Sequence, residues 1–446
     1  MSDVIVVGAG LAGLCCAREL ASRGVDVLVL ERSDAAGGRL RTDEVDGFLL
    51  DRGFQVLLTA YPEARRALDY ERLGLRPFYA GALVRHRGGF ARLADPLRNP
   101  LDAARNLRTG PGSLVDKLRV ARLRRRLSRA SLNEVLEAPQ VSTAEALRLE
   151  GFSRGMVDGF FRPYLGGIFL DPGLETSSRL FAYVFKLFAQ GEAALPAAGM
   201  QAIPRQLAES LPEAAVRLSA TVESVDRGGV TLAGGERLEA GAVVVAADGP
   251  EAARLTGAVE APAARATTCV YFAAERSPLG EPILVLDGEG RGPVNDLCVP
   301  SDVAPSYAPP GAALISATIL GIPPLDDDGL EAAAREQLRG WFGAQVDGWR
   351  RLAVYRIPFA LPAQPPELMA TPQRPVRLRD GLFVCGDHRD TASIQGAMVS
   401  GRRAAAAVRG SDSGPPGALS SRGGRRAPTP QPSAPFRPFR APARGT

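Results

Sequence analysis

Apolar residues cluster in two ways along this chain. VIVV (4–7) is an unbroken apolar run, the pattern of a strand buried on both faces. It enters GAGLAG and then LCCARELASRG, whose apolar positions recur at helical spacing until Gly24 stops them. VDVLVLE (25–31) is a second buried-type strand. Strand, glycine turn, helix and strand open a doubly wound sheet. FLLDRGFQVLL (48–58) keeps strand character, and YPEARRALDYERLG (61–74) reads as helix. Residues 95–150 turn basic and helical, with Ser142 and Glu145 at capping-box spacing. Helices are predicted near 153–164 and 177–190, the second apolar enough to be buried, and another over GMQAIPRQLAESL (199–211). From Val216 the pattern becomes a meander of strands and glycine turns that returns to a buried strand, VVVAA (243–247). More strands follow over 267–320, then a helix at 328–343 and a strand at 350–362. A last buried run, GLFVC (381–385), leads into the helix-like SIQGAMVSGRRAA.

Composition narrows the class. The chain has 446 residues, 45% hydrophobic and 23% charged, which suits a soluble globular protein. No window reaches the ~18–20 apolar residues that span a bilayer, and no basic leader precedes the first strand, so the expected location is cytoplasmic. The net charge of +5 resides in residues 411–446, which hold six arginines and one aspartate in a Pro, Gly and Ser background. That tail is expected to be disordered. The rest is neutral, which argues against a nucleic-acid partner. Five cysteines (15, 16, 269, 298 and 385) form no CxxC pair, and His86 and His388 are the two histidines, so no metal site is expected.

Gly8, Gly10 and Gly13 form GxGxxG between a strand and a helix, and Glu31 ends the next strand. This is the context in which the motif binds a dinucleotide. Gly8 permits the tight turn, Gly10 lets backbone approach a pyrophosphate, and Gly13 lets the helix pack closely. Leu11 and Ala12 begin the helix whose N–H groups and partial positive charge would meet the phosphates. Glu31 would accept hydrogen bonds from ribose hydroxyls and repel a 2′-phosphate, which disfavours NADP.

The loop does not by itself separate FAD from NAD; the residues after it do. RSDAAGGRLRT (32–42) resembles the Gly-Gly-Arg signature of the flavin amine oxidase and phytoene desaturase superfamily, and GDHRDTASIQGAM (386–398) resembles its late Gly-Asp turn and flavin-directed helix. DRGFQVLLTAYPEA (51–64) is similar to a conserved stretch of plant-type phytoene and zeta-carotene desaturases, with Gln55 in place of a histidine. The resemblance implies an α/β fold, a Rossmann-type FAD-binding domain with an interleaved mixed α+β substrate domain. The FAD-binding part would take residues 1–80, 195–250 and 375–410, and the substrate part 81–194 and 251–374. It also implies the FAD contacts: Arg32, Gly37, Gly38, Arg39 and Leu40 after Glu31; Gly53, Phe54 and Gln55; Val222, whose backbone would hold the adenine; and Gly386, Asp387, Ile394, Gln395 and Ala397. Arg39 would pair with the pyrophosphate. Asp387 would accept from the ribityl chain or sit beside the pyrophosphate.

The branch is read from what is missing. Amine oxidases place an aromatic ring where this chain has Ser393, and a lysine near flavin N5, whereas the two lysines here are Lys117 and Lys186. SIQGA and PYLGGIFLDP are similar to isoprenoid desaturases and protoporphyrinogen oxidases, which take apolar substrates. The expected activity is hydride transfer to flavin from an apolar, isoprenoid- or porphyrin-like substrate. Flavin amine oxidation, or flavin binding without turnover, are the alternatives. Phe181, Phe185 and Phe188 stand at helical spacing and fit either a substrate tunnel or plain core. Apolar residues 118, 120, 123 and 127, set between arginines, fit either a peripheral contact with an anionic membrane on its inner face or a solvated helix. No catalytic residue and no electron acceptor is assigned. His388 is expected to be a structural donor.

Overall fold

A computed structural model describes residues 2–107 and 109–410. The tail expected to be disordered lies outside the described residues.

Two sheets carry the architecture. The first has eight strands. Ser2–Val7 lies at its centre, flanked in parallel by Val27–Leu30 and by the second half of Arg237–Val245. Val4, Ile5, Val6 and Val7 are all buried, as an unbroken apolar run requires. The first half of Arg237–Val245 continues into an antiparallel meander with Gly229–Leu232 and Val222–Asp226. The late strand Leu382–Val384 pairs in parallel with Val243–Val245, so the two ends of the chain meet in one sheet. The helix Leu11–Ala21 covers one face with Leu14, Cys16 and Leu20. The helix Ile394–Val408 crosses it so closely that a Cβ on Gly401 would sit 2.1 Å from the Ala12 carbonyl oxygen.

The second sheet has seven strands, in the order Arg350–Pro362, Ala264–Ala274, Ala313–Leu320, Val294–Cys298, Leu284–Leu286, Gly81–His86 and Gly89–Ala94. One face buries Val270, Phe272, Ile315 and Leu297 against the helix Asp327–Phe342. The opposite face turns toward the first sheet's loops. The Tyr271 hydroxyl donates to the Asp51 carbonyl from that face at 2.8 Å.

Several elements differ from the sequence expectation. The helix expected at 153–164 is interrupted: Arg154–Met156 passes through a wide turn at Val157–Phe161 before Arg162–Phe169 continues. Pro163 has no N–H to donate, so the bonding register slips there. The strand expected over 48–58 is two short ones, Phe48–Asp51 and Leu57–Leu58, with an irregular loop between. The helix expected over 61–74 is also two, because Asp69 caps a second start by accepting the Glu71 and Arg72 N–H groups. In the basic helix Leu114–Arg129 the four apolar positions do not form one outer stripe. Leu123 and Leu127 are buried and Leu118 is 68% exposed. Its capping acid, Asp116, is fully buried; accepted bonds from Ser113 and Ser153 outweigh the burial and hold it at about 2. Among the described residues, no helix is long and apolar enough to cross a membrane.

Candidate flavin site

Four chain segments converge at the C-terminal ends of the parallel strands. In the first, Gly8 turns with φ +107° and donates to the Leu30 carbonyl at 2.7 Å. A Cβ on Gly13 would lie 1.9 Å from the Gly8 oxygen, so helix and strand touch there through backbone alone. Gly10 is the opposite case: a Cβ would meet nothing within 4 Å. It starts a helix that has no side-chain cap and no acid in its first turn. The N–H groups of Leu11 and Ala12 therefore point, with the helix dipole, into open space kept clear by a glycine.

Glu31 is buried beside this turn. One carboxylate oxygen accepts the Ala9 N–H at 2.7 Å and the other the Ser33 N–H at 2.9 Å. Each oxygen retains a lone pair for a hydroxyl. The Glu31 carbonyl accepts the Ala220 N–H, which brings Val222 alongside, and the Val222 carbonyl accepts from Arg254 at 3.3 Å. Arg32 is exposed, 3.6 Å from Asp248.

The second segment is the glycine pair. Gly37 (φ +136°) bridges to Gly10 and donates to the Ala9 carbonyl at 2.9 Å. Gly38 (φ +59°) comes within 3.5 Å of the Gly10 Cα by the same Cβ measure. Leu40 is buried beneath them. Arg39 then reaches the far end of the chain: its guanidinium lies 2.8 Å from Asp387, donates to the Ala360 carbonyl at 2.8 Å and lies over the Phe359 ring. Burial pushes its pKa down, but the Asp387 charge prevails and the net displacement is upward.

In the third segment, Gly53 (φ +85°) passes so close to the second sheet that a Cβ would be 2.7 Å from Ile357 Cδ1. Phe54 packs edge-on against Phe78. Gln55 donates to the Arg39 carbonyl at 3.0 Å, while its buried oxygen has no partner.

The fourth segment is GDHRDTASIQGA. Gly386 has φ +149° and donates to Ser400 at 2.9 Å. His388 is buried with neither ring nitrogen bonded, and burial lowers its pKa to about 4. The ring is neutral, not the structural donor expected of it. Asp390 is raised to about 6 by burial and keeps one oxygen without a hydrogen bond. Ser393 caps the helix Ile394–Val408 by accepting the Gly396 N–H at 3.0 Å. The Gln395 side chain accepts the Glu63 N–H at 2.9 Å, and Ile394 and Ala397 pack on the core.

A dinucleotide with a long hydroxylated arm fits these segments. The open helix start and glycine pair suit a pyrophosphate. The orphaned polar atoms of Gln55 and His388 lie between the two chain ends, beside Asp390, whose Oδ2 has Arg403 at 3.6 Å and no hydrogen bond.

The match to known proteins agrees with this geometry. Residues 11–409 match the model of flavin containing amine oxidoreductase. The chain belongs to that family. Protoporphyrinogen oxidase 2 of Arabidopsis thaliana is 29% identical over 164 residues, 37% of this chain and 32% of that protein. Phytoene dehydrogenase of Streptomyces griseus is 29% identical over 290 residues, 58% of this chain and 56% of that protein. The chain thus spans about half or less of the length of these curated relatives. A putrescine oxidase double mutant with redesigned cofactor binding shares the fold, at 18% identity and a TM-score of 0.68, over 92% of this chain and 99% of that one.

Members of the flavin-containing family are oxidoreductases with FAD, the cofactor expected from the sequence, and these four segments are its candidate site. Both lysines of the chain are engaged with backbone carbonyls. Lys117 Nζ donates to the carbonyls of Asn106, Leu107 and Thr109. Lys186 Nζ is held by the carbonyls of Leu127, Ser128 and Ala130, where it closes the C-terminal end of a helix. Ser393 is spent as a cap.

One group next to this site is absent from the sequence reading. Asp51 accepts from the Thr42 hydroxyl, the Met200 N–H at 2.9 Å and the Tyr307 hydroxyl at 2.8 Å, and burial raises it to about 6. A single acid inside the apolar run FLLDRGF was its signal. Its partners lie up to 256 residues away.

Proposed function

We propose that this flavoprotein removes hydride from an apolar, isoprenoid- or porphyrin-like substrate, as a desaturase, dehydrogenase or oxidase. The observation that carries the reading is a row of two aromatic groups joined through the buried Phe161. Phe160 stacks on Tyr164 at 5.3 Å, Tyr164 meets Phe188 at 5.9 Å, and Phe181 meets Phe185 at 5.7 Å. Phe160, Tyr164, Phe185 and Phe188 pack on the core and are half-buried, so part of each ring stays uncovered. The row is tied to the flavin turn. The Ser177 N–H, at the head of the helix Ser178–Gln190, donates to the Gln364 carbonyl, and the Gln364 side chain holds the Asp390 carbonyl and the Ala392 N–H.

Bound FAD supplies the hydride acceptor. The chain's own work is to orient an apolar body along the aromatic row, to keep water away, and to fix the turn through Gln364 and Ser393. Anaerobic addition of isoprenoids, porphyrinogens and amines to the purified yellow protein tests this. Bleaching of the flavin band by an isoprenoid or porphyrinogen is the expected result. Bleaching by amines alone reverses the assignment, and no bleaching by any compound favours a flavin-binding protein without turnover.

The reading extends to where such a substrate is met. Leu97, Leu101, Leu107, Leu114, Val115 and Leu118 are each 44–71% exposed. The exposed Arg105, Arg122 and Arg125 lie in the same stretch, while Asp95 and Asp116 are engaged internally. This combination suits an anionic bilayer surface. Phosphatidylglycerol vesicles should sediment the wild type and not the pair Leu101→Glu with Leu118→Glu. Equal sedimentation of both, or of neither, removes the membrane contact.

A further inference from the structure

A second polar site lies on the face of the seven-stranded sheet that looks toward the flavin loops. Asp296, Thr318 and Cys269 stand directly across from one another in three neighbouring strands, so their side chains share that face. Thr267, two residues earlier on the same strand, is next to Gly53: a Cβ there would be 3.9 Å from its methyl group. The row thus begins at the flavin loop and ends at Asp296, about 10 Å away by two strand spacings from Cys269.

Asp296 differs from the buried acids Asp51, Asp171 and Asp287. Asp51 has three donors to its carboxylate. Asp171 has the Thr176 N–H and hydroxyl together with Arg265, and Asp287 has three backbone N–H groups. Asp296 is 3% exposed and its Oδ2 accepts one bond, from Asn295 Nδ2 at 2.9 Å. Its Oδ1 has no close donor, and the Thr318 hydroxyl, 5% exposed, has no other partner than this carboxylate, toward which its proton turns. No ion pair reaches it among the described residues. Burial raises the carboxyl to about 6, so it is mostly ionised at neutral pH.

The site is built and not accidental. Asn295 donates also to the Pro163 carbonyl at 2.9 Å, which fixes its amide against the helix Arg162–Phe169. That helix presents Gly167 to the pair: a Cβ would lie 3.0 Å from Asp296 Oδ2 and 3.1 Å from Asn295 Nδ2. Tyr164 is three residues earlier, hence on the same helix face, and carries the aromatic row. The polar site and the apolar row therefore adjoin.

We propose that Asp296 and Thr318, positioned by Asn295, recognise a hydrogen-bond-donating group, a hydroxyl or an ammonium, on the substrate whose apolar body lies along Phe160 and Tyr164. The inference rests on the apolar-substrate reading and adds a polar end to it. With the Thr318 proton turned to the carboxylate, the lone pairs left on Asp296 and on the Thr318 oxygen both accept, so a donor satisfies them and an ether or hydrocarbon leaves them bare. Sites of this kind discriminate strongly against the analogue that lacks the donor.

Geraniol, geranylamine and geranyl methyl ether share one chain and differ at that end. Calorimetric titration of the FAD-loaded protein with each is the test. The alcohol or the amine should bind about tenfold or more tighter than the ether. Asp296→Asn and Thr318→Val should each shrink that preference at least ~3-fold without changing the affinity for the ether. A larger loss for the amine than for the alcohol in Asp296→Asn identifies an ammonium, and equal losses identify a hydroxyl. Should Asp296→Asn fail to fold, the nearly isosteric Thr318→Val carries the test. The inference is overturned if the ether binds as well as the others, if both variants keep the wild-type preference, or if none of the three binds. Flavin bleaching by an isoprenoid with no such preference would retain the apolar reading and remove this one.

Discussion

Replacing Gly10 with alanine should separate cofactor binding from folding. Gly10 sits at φ −73°, a conformation alanine adopts freely, and its added methyl meets nothing within 4 Å. The unfolded chain loses freedom on this change, which favours the fold by about 0.4–1 kcal/mol. The melting temperature of FAD-stripped protein should therefore stay constant or rise by up to about 2 °C. The same methyl would stand before the N–H groups of Leu11 and Ala12, in the space a pyrophosphate needs. Loss of one charge-assisted hydrogen bond there costs about 1.5–3 kcal/mol. That is about a 10- to 150-fold weaker Kd for FAD. Gly13→Ala is the contrast: its methyl would lie 1.9 Å from the Gly8 carbonyl oxygen, so backbone must move. Overpacking of that kind costs about 1–3 kcal/mol or more, and stripped Gly13→Ala should melt earlier. Stripped proteins would be compared by calorimetry and their FAD affinities by fluorescence titration. A Gly10→Ala protein that binds FAD within about threefold of wild type would refute the cradle. One that melts more than about 5 °C lower when stripped would refute the open space.

Two other substitutions probe the surroundings. Lys186→Met removes the cation that closes the helix Leu114–Arg129, and should destabilise the protein by about 1–3 kcal/mol in urea titration while leaving flavin reoxidation unchanged; an altered reoxidation rate would place Lys186 at the flavin after all. His388→Gln tests a pH effect of definite sign. The folded imidazole titrates near 4 instead of 6.5, so the unfolded chain binds the extra proton and stability falls as pH drops from about 6.5 to 4, by up to about 3 kcal/mol. Asp51 and Asp390, raised to about 6, act in the opposite direction as pH falls through 6, because there the folded state holds the extra protons. His388→Gln removes the first effect and keeps the second, so between pH 7 and 5 it should gain stability relative to wild type. Identical pH slopes for the two proteins would contradict the buried neutral ring.

The amino-terminal unit was legible because its determinants are local. Strand, glycine turn, helix and acid lie within residues 2–31, and each obeys a short-range rule. The strand Arg350–Pro362 was read to the residue for the same reason, an apolar-rich run ended by proline, although Pro358 interrupts it and the pairing with Ala264–Ala274 shifts register there. The Arg39–Asp387 pair was not legible as a pair. Both residues were expected at a cofactor, and their mutual contact depends on folding that joins positions 348 apart. The outward leucines of 97–118 escaped because helical spacing shows that a stripe exists, not which stripe turns inward. Arg124 shows the difficulty: an arginine in a basic run, it is buried against Asp95 while Leu118 faces water. Asp296 gave no local signal at all, since its isolation is a property of three strands and a helix together.

The placement of Leu382–Val384 and Ile394–Val408 beside the first strand and first helix has a consequence for biosynthesis. Translation delivers Ser2–Val7 and Leu11–Ala21 hundreds of residues before the elements that cover them. Through that interval the apolar flank of the first helix is without its cover on the ribosome. A nascent chain halted before residue 394 holds the glycine turn and lacks the far jaw, so capture of the nucleotide has to wait until that helix has emerged.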